Sequence, residues 1–157
     1  ATLYYHFTDK ESLFAAVMAD EMERLRAGIV AALSDEAPLR ARLQRVAAFI
    51  FAATRADFGR MATEMRQHLS FDHRQRLFHE HPPPWEWFQP SIAQAVASGE
   101  IRSVEPRQAA RLFFAMLMSQ IGAAKFSGDS EPPGPEDAAA IVSIFFDGIA
   151  PIRERSG

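Results

Sequence analysis

The feature that most constrains the fold is the spacing of apolar residues, which recur every three or four positions along most of the chain. No segment shows the period-two alternation of a half-buried strand. The clearest stripe consists of Leu13, Phe14, Val17, Met18, Met22, Leu25 and Ile29. It predicts one helix from about Asp9 to Leu33, long enough at ~1.5 Å per residue to connect two ends of a small domain.

A second segment points to the centre of a helical bundle. Residues 46–53 are apolar on every face of the helix that we predict from Leu39 to about Ala56, and such a helix needs other helices packed round it. Further helices are expected at residues 59–69, 72–79, 85–99 and 106–121, and after Pro135. The sequence therefore predicts an all-α fold without internal repeats.

Composition narrows the class of protein. The 157 residues include 48% hydrophobic and 24% charged side chains, as is typical of one globular body. No apolar run could span a bilayer, and the absence of cysteine excludes disulfides and thiolate chemistry. No Gly-rich phosphate loop, nucleophile elbow or His-Glu-x-x-His motif is present. We therefore expect a cytoplasmic protein that is not an enzyme and needs no cofactor or metal.

The opening segment carries the most specific chemistry. Leu3 and Phe7 lie four residues apart and can share the buried side of a short helix, which turns the intervening polar side chains outward. Thr8 and Glu11 fit a capping box at the start of the long helix. Taken alone, this segment could be either a DNA-contacting helix or an ordinary exposed amphipathic turn.

The pattern T-L-Y-Y-H-F-x-D-K-E-x-L-F in residues 2–14 resembles the recognition helix and following turn of the TetR family of bacterial transcriptional regulators. Residues 99–110 are similar to the G-x-x-R-x-x-D-P-x-x-A-A-like run that precedes the family's penultimate helix. Glu105 stands where the family often has Asp. Since Glu is the poorer N-cap, the sequence specifies that helix start less well.

The resemblance implies a recognition helix and connecting helix in residues 1–33, and a ligand-binding and dimerisation domain in residues 34–157. Because a helix-turn-helix also needs a bracing helix, we expect that about two helices of the family fold are absent before Ala1. The net charge of −3 is not that of a typical nucleic-acid binder, and we assign the basic charge to those absent helices. The predicted contacts to an operator in double-stranded DNA are Thr2, Tyr4, Tyr5, His6 and Lys10.

A ligand cavity is the second predicted site. Thirteen Phe, six Met and two Trp would suit an apolar or planar guest with one or two hydrogen-bonding groups, although plain core packing would use the same residues. The predicted lining residues are Phe51, Met65, His68, Trp87, Phe88, Phe113, Met116 and Gln120.

The last two helices are expected to pair with those of a second copy in a four-helix bundle. The predicted homodimer residues are Leu117, Ile121, Ile141, Ile144, Phe145 and Gly148. The function that follows is a repressor released from its operator by an apolar small molecule. The alternatives are a helical small-molecule carrier that does not bind DNA and, less well supported by His68 and Asp72, a metal-responsive module.

Overall fold

The computed structural model describes residues 10–53, 67–126 and 133–149 of the chain. These residues form six α-helices, with a 3-10 turn at Pro84–Trp87 between the third and fourth, and they contain no strand. The helices are α1 (Lys10–Leu33), α2 (Leu39–Ala53), α3 (Phe71–Glu80), α4 (Gln89–Ala97), α5 (Pro106–Phe126) and α6 (Pro135–Ile149). None of these described helices combines the length and apolar composition needed to cross a membrane.

The structure confirms the all-α fold class and corrects one helix. The sequence predicts a single helix from Trp85 to Gly99, whereas the chain makes a 3-10 turn and then begins α4 at Gln89. The reason is the pair of prolines Pro84 and Pro90, each of which suits a first helical turn because it has no N–H to satisfy. Most of the helix predicted at residues 59–69 lies outside the described residues.

Helix α2 is central, as predicted, because it packs against α1, α4, α5 and α6. Leu39, Leu43, Val46 and Ala47 are fully buried in the principal core, a cluster that joins α1, α2, α4, α5 and α6. The prediction that other helices enclose every face of α2 is wrong in detail, since Ala48 and Ala52 are exposed. Alanine tolerates this position because it presents little apolar surface to water.

Gly28 lets α1 and α2 approach closely. A Cβ atom at this position would overlap the ring of Phe49 on α2. The glycine therefore costs α1 some helix propensity but gives the two helices a tighter contact. This contact holds the second half of α1 against the central helix.

The start of α5 is better capped than the sequence indicates. Glu105 accepts hydrogen bonds from the backbone N–H groups of Arg107 at 3.0 Å and Gln108 at 2.5 Å. The extra methylene of Glu is accommodated because its two carboxylate oxygens take one donor each. Earlier in the same loop, Gly99 has φ of 75° and Glu100 accepts a hydrogen bond from the N–H of Leu39. The loop thus connects α4, α5 and the start of α2.

Candidate functional site

The predicted DNA-contact residues lie at the beginning of the chain, and only one of them falls within the described residues. Thr2, Tyr4, Tyr5 and His6 lie outside those residues, as does Thr8 of the predicted capping box. Lys10 is the first described residue of α1, and its side chain is exposed. An exposed ammonium in the first turn of α1 can contact a phosphate group.

A polar junction ties the first turn of α1 to α3. The Glu11 carboxylate accepts a hydrogen bond from the backbone N–H of Ser70, and one of its oxygens lies 3.0 Å from Nδ1 of His73. Ser70 is the N-cap of α3, and its Oγ lies 3.1 Å from the same His73 nitrogen. We call Glu11, Ser70 and His73 the α1–α3 junction. It connects α3 with the turn that follows the opening segment.

Beneath the junction lies a small apolar cluster, separate from the principal core. This satellite cluster consists of Met18, Met22, Leu69 and Leu77. Phe14 packs at its edge, with its ring 5.6 Å from the exposed ring of His68. His68, predicted to be a polar group in a ligand cavity, therefore lies at the α1 and α3 end of the molecule.

The structure distributes the remaining predicted ligand residues between core and surface. Phe51, Phe88 and Phe113 are fully buried, and the last two meet edge to face with ring centres 5.8 Å apart. These three side chains form part of the principal core. Trp87 and Met116 are half-buried against it, Gln120 is exposed, and Met65 lies outside the described residues.

The 3-10 turn contains the chain's two tryptophans, Trp85 and Trp87. The indole Nε1 atoms of Trp85 and Trp87 are both buried, and neither has a hydrogen-bond partner within the described structure. Trp85 packs against Phe114, with ring centres 5.8 Å apart. A buried donor without an acceptor costs about 1–3 kcal/mol. A ligand acceptor could satisfy either indole.

The predicted dimer residues divide into two groups. Leu117, Ile141 and Phe145 are covered by side chains of their own chain, and Ile121 is half-buried. Ile144 is 64% exposed, and Gly148 on the same helix is also exposed. Leu112 on α5 is a further large apolar side chain of this region, and it is 53% exposed.

Leu112 and Gly148 line one groove of about 520 Å³ between α5 and α6. At one end of it, the guanidinium of Arg102 donates a hydrogen bond of 2.9 Å from Nε to the carbonyl oxygen of Gly148. The other lining residues are Ser103, Val104, Glu105, Gln108, Ala109, Met116 and Phe145. The groove thus continues the exposed apolar surface of the last two helices.

The metal alternative rests on His68 and Asp72. Across residues 10–53, 67–126 and 133–149, no three His, Asp or Glu side chains come close enough together to hold a metal ion. His73 contacts Glu11, and His68 contacts Phe14. These contacts give both histidines a structural environment in α3 and the turn before it.

Comparison with solved structures identifies the fold. A protein of unknown function from Rhodococcus sp. RHA1 has a TM-score of 0.73 and 22% identity, over 92% of this chain and 75% of that one. A candidate TetR-family transcriptional regulator from Mesorhizobium loti MAFF303099 has a TM-score of 0.70 and 23% identity, over 95% of this chain and 79% of that one. No protein-family model and no curated protein sequence matches the chain. The chain has the TetR-like all-helical fold.

Proposed function

We propose that this protein is a TetR-type transcriptional regulator, and specifically a repressor that an apolar small molecule releases from its operator. The observation that carries the proposal is the T-L-Y-Y-H-F-x-D-K-E-x-L-F segment, which continues into the start of α1 in a TetR-like fold. An identity of 23% to the Mesorhizobium loti protein supports the fold, and the opening segment supplies the link to DNA.

Helix α1 is the proposed route between ligand and operator. Its first turn follows the opening segment, and its second half is buried against α2. A ligand that displaces the core around α1 would tilt the helix and change the separation of two recognition helices in a dimer. For half-sites in successive major grooves that separation must be about 34–36 Å. Operator and ligand would then oppose each other through a coupling free energy of typically ~1–3 kcal/mol.

The DNA proposal is tested with a protein that includes any sequence encoded upstream of Ala1. Its operator is selected from random duplexes, and affinity is measured by fluorescence anisotropy at several salt concentrations. Lys10→Ala should weaken binding to all sequences and lower the salt dependence, because it removes one phosphate contact. Tyr4→Ala should also alter sequence preference. Arg107→Gln, which removes a cation near Glu86, is the control and should leave affinity unchanged.

Unchanged affinity in the Tyr4→Ala, Lys10→Ala double variant would refute the contact assignment. A protein that selects no sequence would favour the carrier without DNA binding.

The exposed apolar surface of α5 and α6 supports the proposed homodimer. Leu112 and Ile144 remain more than half exposed in the single chain, and Gly148 allows a second helix to approach closely. Sedimentation should give twice the monomer mass. Ile144→Glu should yield folded monomers, whereas Val30→Glu, at an apolar residue 44% exposed on α1, should remain dimeric. A monomeric unmodified chain would exclude this interface.

The effector is proposed to bind beside the 3-10 turn. Phe114, which packs beside Trp85, would provide apolar contact, and the unpaired N–H groups of Trp85 and Trp87 would donate to an acceptor oxygen of the guest. The expected class is therefore an aromatic or acyl molecule with one or two acceptors, ahead of a sugar or polyanion. The two indole N–H groups would therefore be the hydrogen-bonding groups of the site, in place of His68 and Gln120, because both of those residues are exposed.

A thermal-shift screen with fluorescence detection tests this class. A guest at ~100 times its Kd should add ~2.7 kcal/mol to the free energy of unfolding. It should also change the emission of Trp85 and Trp87, which are the chain's two tryptophans. Trp85→Phe keeps the aromatic contact, removes the donor and should weaken an acceptor-bearing guest more than its hydrocarbon analogue. Stabilisation by metals or highly charged compounds alone would contradict the proposal.

A further inference from the structure

A second cleft lies at the end of the bundle where the loop from α1 enters α2. It has a volume of about 440 Å³ and is bounded by the first turn of α2 and the end of α4. Its lining residues are Asp35, Glu36, Ala37, Pro38, Arg42, Gln94, Ser98 and Glu100. Neither tryptophan of the proposed effector site lines it.

Arg42 is the unusual residue of this cleft. Arg42 is only 8% exposed, and its Nε atom is buried with no hydrogen-bond partner within the described structure. No ion pair reaches it from the described residues, although arginine in a protein interior normally has a counter-charge. Arg42 therefore lines the cleft with an unpaired Nε–H group and without a carboxylate in ion-pairing contact among the described residues.

The carboxylates around Arg42 are partly engaged elsewhere. Asp35 pairs with Arg45 at 2.5 Å, and Glu100 accepts the backbone N–H of Leu39 at 2.5 Å. Glu36 is exposed, and no described residue forms an ion pair or hydrogen bond with its carboxylate. The lining of the cleft thus combines one buried cation with an acidic rim of Asp35, Glu36 and Glu100. A simple anion would meet Arg42 but would be repelled by that rim.

We propose that this cleft binds a small zwitterion of the amino-acid type, with its carboxylate on Arg42 and its ammonium group facing Glu36 and Glu100. A guanidinium pairs with a planar carboxylate through charge-assisted hydrogen bonds. This cleft is separate from the proposed effector site and would be a second small-molecule binding site of the protein.

The experiment is a calorimetric and thermal-shift screen of the free amino acids at millimolar concentration. Propionate and ethylammonium serve as probes that carry only one of the two charges. At least one amino acid should bind, and each single-charge probe should bind at least about tenfold more weakly. Propionate binding as tightly as the best amino acid would overturn the proposal, as would the absence of binding by any amino acid.

Two variants assign the charges. Arg42→Met should weaken binding of the amino acid at least about tenfold, because its charge-assisted hydrogen bonds to the carboxylate are lost. It should also raise the melting temperature of the free protein, since an unpaired buried charge is removed. Glu36 is exposed, so Glu36→Gln should not impair folding. This variant should weaken binding of the amino acid and strengthen binding of propionate. Arg40→Met and Glu136→Gln are the matched controls and should change neither affinity. Equal amino-acid affinity in Glu36→Gln and the unmodified protein would refute the zwitterion assignment.

Discussion

The two halves of α1 are anchored in different ways. The second half contributes Leu25, Ile29 and Leu33 to the principal core, where they pack with fully buried residues of α2. The first half, taken as Lys10–Met22, contributes Met18 and Met22 to the satellite cluster, whose other buried members come from α3 and the turn before it. One helix therefore belongs to two apolar clusters of very different size.

This difference in burial predicts that the second half of α1 is held more firmly than the first half. The principal core joins five helices, whereas the satellite cluster joins the first half of α1 to one short helix and is bordered by a cleft of about 270 Å³. Local opening is easiest where few buried contacts must be broken. We infer that the end of α1 near the opening segment can shift at low cost while its other end stays fixed, as a ligand-driven tilt requires.

The largest expected effect is the loss of the principal-core anchor. Ile29 is fully buried, so Ile29→Ala should lower the free energy of unfolding by about 2–5 kcal/mol, through lost burial and the cavity that remains. Urea unfolding should show this as one cooperative loss detected equally by every probe. The neighbouring change Val30→Ala, at a residue 44% exposed, is the control and should cost far less. Similar costs for the two changes would refute the proposed anchoring.

A smaller and local effect is expected from the satellite cluster. Met22 is 4% exposed, and Met22→Ala should cost about 2 kcal/mol, the low end for such truncations, because a small cluster beside a cleft can relax. Amide hydrogen exchange should accelerate in the first half of α1 and in α3 while the second half of α1 stays protected. Val17→Ala, at a residue 48% exposed, is the matched control. Equal acceleration along all of α1 would show that the two halves open together.

The sequence predicted most of the helices because amphipathic stripes such as that of α1 follow directly from burial on one face. It did not predict the 3-10 turn at Pro84–Trp87, since proline spacing permits either a new helix or a continuous one. It also underestimated the cap at Glu105, where each of the two carboxylate oxygens accepts one backbone N–H of the first turn. Local propensity therefore described the helices better than their ends.

The candidate sites were less predictable for a different reason. Core and cavity residues have the same composition, so Phe88 and Phe113 could not be distinguished from lining residues by type. The α1–α3 junction joins Glu11 to Ser70 and His73 across more than fifty residues of sequence, and no local pattern announces such a contact. Arg42 likewise looks like an ordinary helical arginine until its burial is known.

The α1–α3 junction provides a finer test of the weaker anchor. Glu11→Ala removes the acceptor for the Ser70 N–H and the contact with His73, and it should cost about 1 kcal/mol of stability. Glu11→Gln retains an acceptor oxygen and should cost less. Amide exchange in the first turn of α3 should follow the same order, with Gln75→Ala as an exposed control in α3. If Glu11→Ala accelerates no α3 amide, the junction does not hold α3 to α1.

The smallest effect concerns the solvent face of α1 between its two anchored halves. Arg26 donates hydrogen bonds to both carboxylate oxygens of Glu23, at 2.8 and 2.5 Å, and this lowers the pKa of Glu23. A lowered pKa means that the pair stabilises the fold above the unfolded-state pKa of Glu and ceases to do so as the pH falls through the folded-state value.

Arg26→Gln should return the pKa of Glu23 towards its ordinary value in an NMR titration. Arg24→Gln removes the partner of Asp20 and Glu21, and should leave Glu23 unchanged. Because the side chains of this pair are 44% and 50% exposed, Arg26→Gln should barely change the amide protection of either half of α1. A large change there would mean that surface charge, and not the two apolar clusters, sets how the halves of α1 open.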